Sequence, residues 1–434
     1  MPDTFKINND KNKDIFKKKI LFLNQYSFLL FILIIVLISG FSLKSFAQID
    51  DEIEIIESIP LETSLEKSDL PRTYDVWLKM INDAKHSIDI ETFYFANKKG
   101  QPLDDIISAI KIAAEVRSVK VRIIVDSGFY SNNDKSADEL EGIQNIEIKK
   151  IPFSNLAGGV MHAKYFIVDN ENLFLGSQNM DWRALIHIHE IGVRIKNKQT
   201  VKTFSDLFDT DWKLCDNNFY GITNMAVHSF VTADNPVVMK TENFGEIKLY
   251  PAFSPPSLNM PGLSSEEDEL LKIIKNSKSR LSIQMYSYSP KARNENNYYD
   301  NIDKALRSAA ERGVQIKIIF SDWAIREPAT EFIKDLSKVE NIKIKFSSIP
   351  EYSTGFIPYA RVEHCKYFIS DDDISWLSTA NWEWGYFNNS RNATMIIENK
   401  KINELLNKVF ERSWESNFVS EVDVSKVYKP VKRN

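Results

Sequence analysis

The chain repeats itself, and the repeat is built around two short signatures. His162-Ala-Lys164 and His364-Cys-Lys366 are each followed at the same spacing by an aspartate, Asp169 and Asp371. After another equal gap comes a small-polar turn ending in asparagine: Gly176-Ser177-Gln178-Asn179 in the first copy, Ser378-Thr379-Ala380-Asn381 in the second. The flanks repeat as well. LKMINDAKHSIDIETFYF (78–95) parallels LKIIKNSKSRLSIQMYSY (271–288), VKVRIIVDSG (119–128) parallels VQIKIIFSDW (314–323), and Asn145-Ile-Glu-Ile parallels Asn341-Ile-Lys-Ile. Each copy reads as an amphipathic helix into an alternating strand, then helix and strand again, and closes on a helix ending in tryptophan (Trp212, Trp414). Such a chain is constrained to two copies of one α/β unit, each a mixed β-sheet flanked by helices. The halves are expected at residues 70–215 and 263–420, joined by a connector at 216–262 with a strand around Phe244–Leu249.

The N-terminus follows a different logic. Six lysines against three aspartates give residues 1–19 a charge of +3. The whole chain carries −5, so −5 − 3 leaves −8 for residues 20–434. Ahead of an uncharged stretch at 20–43, the basic tail predicts a cytoplasmic N-terminus, a transmembrane anchor and an exported remainder. A cleaved signal peptide is the alternative, because Ser45-Phe46-Ala47 has a small-x-small pattern, and the product would then be secreted or periplasmic after cleavage near Ala47. The length of the apolar stretch favours the anchor. Residues 48–68 read as an acidic linker. A net −8 argues against a globally basic nucleic-acid surface but leaves a local basic cleft open. Cys215 and Cys365 are the two cysteines, so there is no disulfide framework.

On a strand, period-two geometry places His162 with Lys164, and His364 with Lys366, on one face. Attack on a phosphodiester needs a nucleophile, a proton donor for the leaving alkoxide, and positive charge around the five-coordinate phosphorus. A neutral imidazole can attack, a protonated one can donate, and lysines stabilise the charge that builds up. The turns offer hydroxyls, amides and backbone N–H groups to phosphate oxygens. Two histidines from two halves divide this work with no metal and no cofactor. Asp169 and Asp371 stand at odd spacing from the histidines, which points them to the opposite face and favours a structural role.

The duplicated HxKx4Dx6GSxN pattern resembles the HKD signature of the phospholipase D superfamily. The first copy matches fully; the second has Ser378-Thr379 for Gly-Ser, which softens the phosphate-binding turn. LGSQNMDWRAL (175–185), IPYARVEHCKYF (357–368) and STANWEWGYF (378–387) resemble most the branch of membrane-anchored phospholipase D3/D4 proteins and poxvirus K4-like nucleases. The resemblance implies two pseudo-symmetric halves with one site between them and a covalent phosphohistidine. It implies a catalytic set of His162, Lys164, Asp169, His364, Lys366 and Asp371, with phosphate held by Ser177, Asn179, Thr379 and Asn381. By analogy His162 is the nucleophile and His364 the acid, although the sequence is symmetric enough to allow the reverse. Glu190 falls where relatives place an acid that orients a histidine, and the second half has Asn392 there.

Three functions follow: a 5′ exonuclease on single-stranded nucleic acid, narrowly favoured; a phospholipase D or transphosphatidylase on glycerophospholipids; or a silent membrane-tethered binding module. The intact histidines and lysines argue against the last. The oligomeric state is not legible in the sequence. Other features carry less. His187-x-His189 reads as a solvent-facing strand pair, Cys365 as a small core residue, and Ser264–Leu270 as a capped, solvated first turn. Trp182, Trp382 and Trp384 read as packing beside the turns, and the sequons at Asn388 and Asn392 as chance matches.

Overall fold

Two sheets carry the duplication in space. The computed structural model describes residues 51–132, 136–216, 230–291 and 299–434, together with Lys17 and Lys19. The first sheet has seven strands: β1 (Glu52–Ser58), β2 (Ser87–Glu91), β3 (Lys120–Asp126), β4 (Ile146–Ile151), β5 (Tyr165–Val168), β6 (Asn172–Gly176) and β7 (Glu190–Lys196). Their spatial order is β1-β7-β6-β5-β2-β3-β4. The second has nine: β8 (Val237–Thr241), β9 (Gly245–Ser254), β10 (Arg280–Met285), β11 (Gln315–Ser321), β12 (Ile342–Ser347), β13 (Lys366–Ser370), β14 (Ile374–Ser378), β15 (Asn392–Glu398) and β16 (Val419–Glu421), in the order β8-β9-β15-β14-β13-β10-β11-β12-β16. Without the edge strands β8 and β16, the second order reproduces the first strand for strand. In each sheet three strands run parallel and the rest pair antiparallel, so both are mixed.

The comparison corrects one boundary. The described part of the expected linker, residues 51–68, is not a linker: Glu52–Ser58 is β1, paired antiparallel with β7 from Glu52↔Lys196 to Ser58↔Glu190. Its counterpart is β9, which pairs in the same way with β15. The acidic residues masked a strand whose alternate side chains Ile53 and Ile55, with Ile56, are buried. Each repeat therefore begins one strand earlier than its signatures indicate.

Within residues 50–434, which form one compact unit, a continuous apolar cluster crosses between the halves. It joins Tyr165, Leu175, Val193 and Phe204 to Phe253, Ile283, Tyr367 and Trp376. Cys365 belongs to this cluster, as expected. A second cluster, confined to the first half, packs the helices Thr73–Asp83 and Pro102–Glu115 on their sheet. Among the described residues no helix is long and apolar enough to cross a membrane. The expected anchor at 20–43 lies outside the described residues, as do residues 217–229 of the connector.

Candidate active site

Each signature histidine sits just ahead of its strand, on a segment that crosses to the other half. Met161 forms a parallel bridge with Arg391, and His189 with Glu363. The His162 N–H donates to the Arg391 carbonyl and the His364 N–H to the His189 carbonyl, both at 2.9 Å. Gly159 allows the first crossing: a Cβ there would stand 2.3 Å from the Asn389 carbonyl oxygen. The backbone thus exchanges partners between the halves, and the rings do the same.

His162 Nδ1 lies 3.0 Å from Asn392 Oδ1. The Asn392 amide nitrogen already donates to the Tyr386 carbonyl at 2.7 Å and to Ser254 Oγ at 3.2 Å, so its oxygen is the acceptor. That fixes the proton of His162 on Nδ1 and leaves the Nε2 lone pair free. His364 Nδ1 lies 2.9 Å from Glu190 Oε2, which likewise leaves Nε2 at the working edge. The two positions that correspond in the repeat, Glu190 and Asn392, therefore each serve the opposite histidine. One is an acid and the other a neutral amide, and this breaks the symmetry of the sequence.

Both lysines are buried and curl back onto their own segment. Lys164 Nζ donates to the His162 carbonyl at 2.6 Å and Lys366 Nζ to the His364 carbonyl at 2.8 Å. Burial lowers the pKa of Lys164 well below the usual lysine value, with Lys366 adding to the effect; burial brings Lys366 down to about 8 against the pull of Glu190. His162 and His364 are both pushed well below the ordinary imidazole value, first by burial and then by the two lysine charges. Burial raises Glu190 to about 7 despite Lys366 and Lys164. Each lysine acts on the other half's histidine, so the two signatures share one electrostatic site. An incoming phosphodiester anion works in the opposite sense and returns protons to these groups.

Several expected roles change. Asp169 and Asp371 do not enter the site. Asp169 accepts from the backbone N–H groups of Lys85, His86 and Ser87 at 2.6 to 2.9 Å. Asp371 does the same for Lys278, Ser279 and Arg280 at 2.7 to 3.2 Å. Each lies in the turn after β5 or β13, past the end of the strand that the histidine precedes, and pins the turn from a helix into β2 or β10, so the catalytic role implied by the resemblance is withdrawn. Ser177 and Thr379 are fully buried and committed elsewhere. Ser177 Oγ exchanges bonds with the Ile191 backbone and steadies Glu190; Thr379 Oγ1 donates to Asn392 Oδ1 at 3.0 Å. Both hold the groups that orient the histidines instead of holding phosphate. Asn179 and Asn381 are buried with side-chain Oδ1 atoms that lack hydrogen-bond partners among the described residues.

The second turn is not softened by its Ser378. Where Gly176 leaves no room for a Cβ beside Gln178 and Gly192, the Ser378 hydroxyl bonds the buried Glu266 carboxyl and accepts the Ala380 N–H at 2.8 Å. Glu266 is consequently not part of a solvated first turn, and its burial raises it to about 7. His187 and His189 are also buried, contrary to the solvent-facing reading. His189 lies between Glu363 (2.7 Å) and Glu57 (2.8 Å); burial opposes its charge, yet the two carboxylates raise it to about 9. Its counterpart Arg391 makes a bidentate pair with the buried Asp211, both bonds 2.8 Å. Trp382 is core, while Trp182 and Trp384 are half-buried. Asn392, fully buried, is a working residue and no glycan acceptor.

Aromatic rings collar both histidines. Phe93 and Tyr386 stand 5.2 and 4.8 Å from the His162 ring, and Tyr286 stands 4.8 Å from His364. Two imidazoles with free Nε2 edges, two buried lysines and two amides around one point are equipped for phosphoryl transfer.

Residues 77–212 and 270–414 match the family model described as cardiolipin synthase, PLD-like domain. These segments cover more than half the chain, which belongs to this phospholipase D-like family and is a phosphodiesterase. The chain is 29% identical over 406 residues to Phospholipase D Y of Dictyostelium discoideum, covering 85% of this chain and 92% of that one. It is 27% identical over 401 residues to the 5′-3′ exonuclease PLD3 of Xenopus laevis, covering 84% and 80%. It is 27% identical over 392 residues to the virion nicking-joining enzyme of vaccinia virus strain Western Reserve, covering 86% and 90%.

Proposed function

We propose that the protein is a 5′ exonuclease on single-stranded nucleic acid, working through a phosphohistidine on His162. The observation that carries the division of labour is the exchange of ring partners, a neutral amide behind His162 and an acid behind His364. Asn392 holds His162 neutral with Nε2 unprotonated, as a nucleophile requires. Glu190 gives His364 a negative neighbour that favours the imidazolium, as a general acid requires. His162 Nε2 attacks phosphorus and forms the N–P bond; the P–O bond to the leaving alkoxide breaks, and the alkoxide takes the proton from His364 Nε2. Then His364 Nε2 takes a proton from water, the water oxygen attacks phosphorus, and the N–P bond breaks. Lys164, Lys366, Asn179 and Asn381 stabilise the phosphoryl oxygens in both steps.

The names of two relatives, an exonuclease and a nicking-joining enzyme, support nucleic acid as substrate, and the aromatic rings beside both histidines suit bases. The name Phospholipase D Y supports a second reading, hydrolysis of glycerophospholipids. The purified full chain, in detergent and with EDTA, is given a 5′-hydroxyl single-stranded oligonucleotide and, separately, phosphatidylcholine vesicles. Stepwise loss from the 5′ end is the expected result; choline release without cleavage of the oligonucleotide refutes the reading. We also propose that residues 20–43 anchor the enzyme with its catalytic part on the exported side, supported by the charge asymmetry around that stretch. Protease protection of the catalytic part in intact cells would contradict this.

A further inference from the structure

The surroundings of the two histidines differ. Beside His162 the rings form a half-buried group: Phe129 packs on Phe93 at 4.4 Å and on Tyr94 at 4.8 Å, Tyr386 stands opposite, and the Tyr94 hydroxyl donates to Asp181 at 3.0 Å. Beside His364 the rings lead outward, from Tyr286 to Trp323 at 6.2 Å and from Trp323 to Tyr359 at 6.3 Å. Guanidinium groups accompany them. Arg433 lies 4.9 Å from the Trp323 ring centre and Arg183 lies 5.7 Å from that of Tyr359. Acids accompany these cations: Asp181 pairs with Arg183, Glu383 with Arg326 and the Ser287 hydroxyl, and Asp322 faces Arg433.

Tyr359 is the outermost ring and is 48% exposed. Its backbone is left-handed (φ 59°), a conformation uncommon for an aromatic residue, and its N–H is held by the Arg433 carbonyl at 2.7 Å. An exposed ring fixed in an uncommon backbone state beside the Arg183 guanidinium is a feature the catalytic chemistry does not use.

We infer that Tyr286, Trp323, Tyr359, Arg183 and Arg433 form a path for the leaving strand of a single-stranded nucleic acid, while the His162 collar takes the terminal nucleoside. The inference rests on the nuclease reading above. In-line displacement puts nucleophile and leaving group on opposite sides of phosphorus. With His162 attacking, the leaving alkoxide emerges beside His364, and in a nucleic acid that alkoxide continues into the rest of the chain. Stacking faces interleaved with cations suit a strand of bases and phosphates. A lipid headgroup alcohol carries no repeating anion to occupy them.

The test is the length dependence of KM for 5′-hydroxyl oligothymidylates, from dinucleotide to octanucleotide, with the full chain. In the wild type KM falls about tenfold as the strand lengthens; in Tyr359→Ala and Trp323→Ala the gain shrinks to about threefold or less, and Tyr359→Phe restores it. A misfolded fraction lowers kcat at every length and leaves this gain intact, so damage to the fold does not imitate the effect. Wild-type KM independent of length, or a full gain retained in Tyr359→Ala, overturns the path and leaves the nuclease reading standing. Cleavage of no oligonucleotide at any length by a wild-type protein that hydrolyses bis(4-nitrophenyl) phosphate overturns both.

Discussion

Replacing Glu190 by glutamine tests the asymmetry on which the division of labour depends. The introduced amide oxygen can accept the same His364 Nδ1–H that Glu190 Oε2 accepts at 2.9 Å, so the ring keeps its place while the negative charge is lost. A hydrogen bond to a charged partner is worth about 1.5–3 kcal/mol and a neutral one about 0.5–1.5 kcal/mol. The exchange therefore removes about 1–2 kcal/mol from the protonated form of His364, or about 5- to 30-fold in rate where that proton matters. It matters when the leaving group is a sugar alkoxide, and hardly at all for 4-nitrophenolate, which departs unprotonated. The variant is accordingly expected to lose kcat/KM on an oligonucleotide but to keep most of it on bis(4-nitrophenyl) phosphate. The sign of the pH effect also follows. Burial and the lysines already hold His364 below the ordinary imidazole value, and removing the carboxylate lowers it further. The alkaline limb of kcat/KM then moves to lower pH. An equal loss on both substrates, or an alkaline limb that stays in place, would refute the assignment of His364 as the acid.

Other substitutions probe the scaffold. Arg391→Met leaves the buried Asp211 carboxylate without its cation, and the Ser254 and Leu258 carbonyls and Asn259 Oδ1 without its N–H groups; it is expected to cost about 3–5 kcal/mol in urea unfolding, only part of it recovered by adding Asp211→Leu. Asp169→Ala removes three backbone hydrogen bonds and should lower stability by about 1–3 kcal/mol, with kcat/KM of the folded enzyme unchanged. A collapse of activity in that folded variant would restore the aspartate to the catalytic set. His189, raised from 6.5 to about 9, contributes stability that is fully present below pH 6.5 and lost as pH rises through 9. The urea midpoint of the wild type should fall across that window and that of His189→Gln should fall less; parallel declines would count against the buried imidazolium.

Much of this was written in the sequence because the duplication supplied its own control. Helix-to-strand patterns at 78–95 and 271–288, seen twice, place β2 and β10 at Ser87–Glu91 and Arg280–Met285. What escaped had tertiary causes. β1 is hidden because its exposed face is acidic, and its register exists only against β7, more than a hundred residues away. The burial of His189 depends on Glu57 of β1 and on Glu363 of the segment ahead of β13, which come from different halves. Glu190 could be placed by alignment of the repeats, yet not its partner, since the crossing of the two segments gives it to the other half's histidine. Ser378 in place of glycine reads as a weakened turn because its partner, the buried Glu266, lies more than a hundred residues away in sequence. The aspartates are the instructive case: they lie in left-handed turns past the end of the strand, committed to backbone N–H groups, for a reason that spacing along a continuous strand does not supply.

The most direct test of a composite site with His162 as nucleophile is to trap the intermediate. His364→Ala removes the base that activates water, and an aryl phosphodiester removes the need for the acid, so the first step proceeds and the second stalls. Mass spectrometry of the quenched variant should find one phosphoryl adduct per chain on His162, absent when His162→Ala is added. An adduct on His364 in the reciprocal His162→Ala variant, with none on His162 here, would contradict the account.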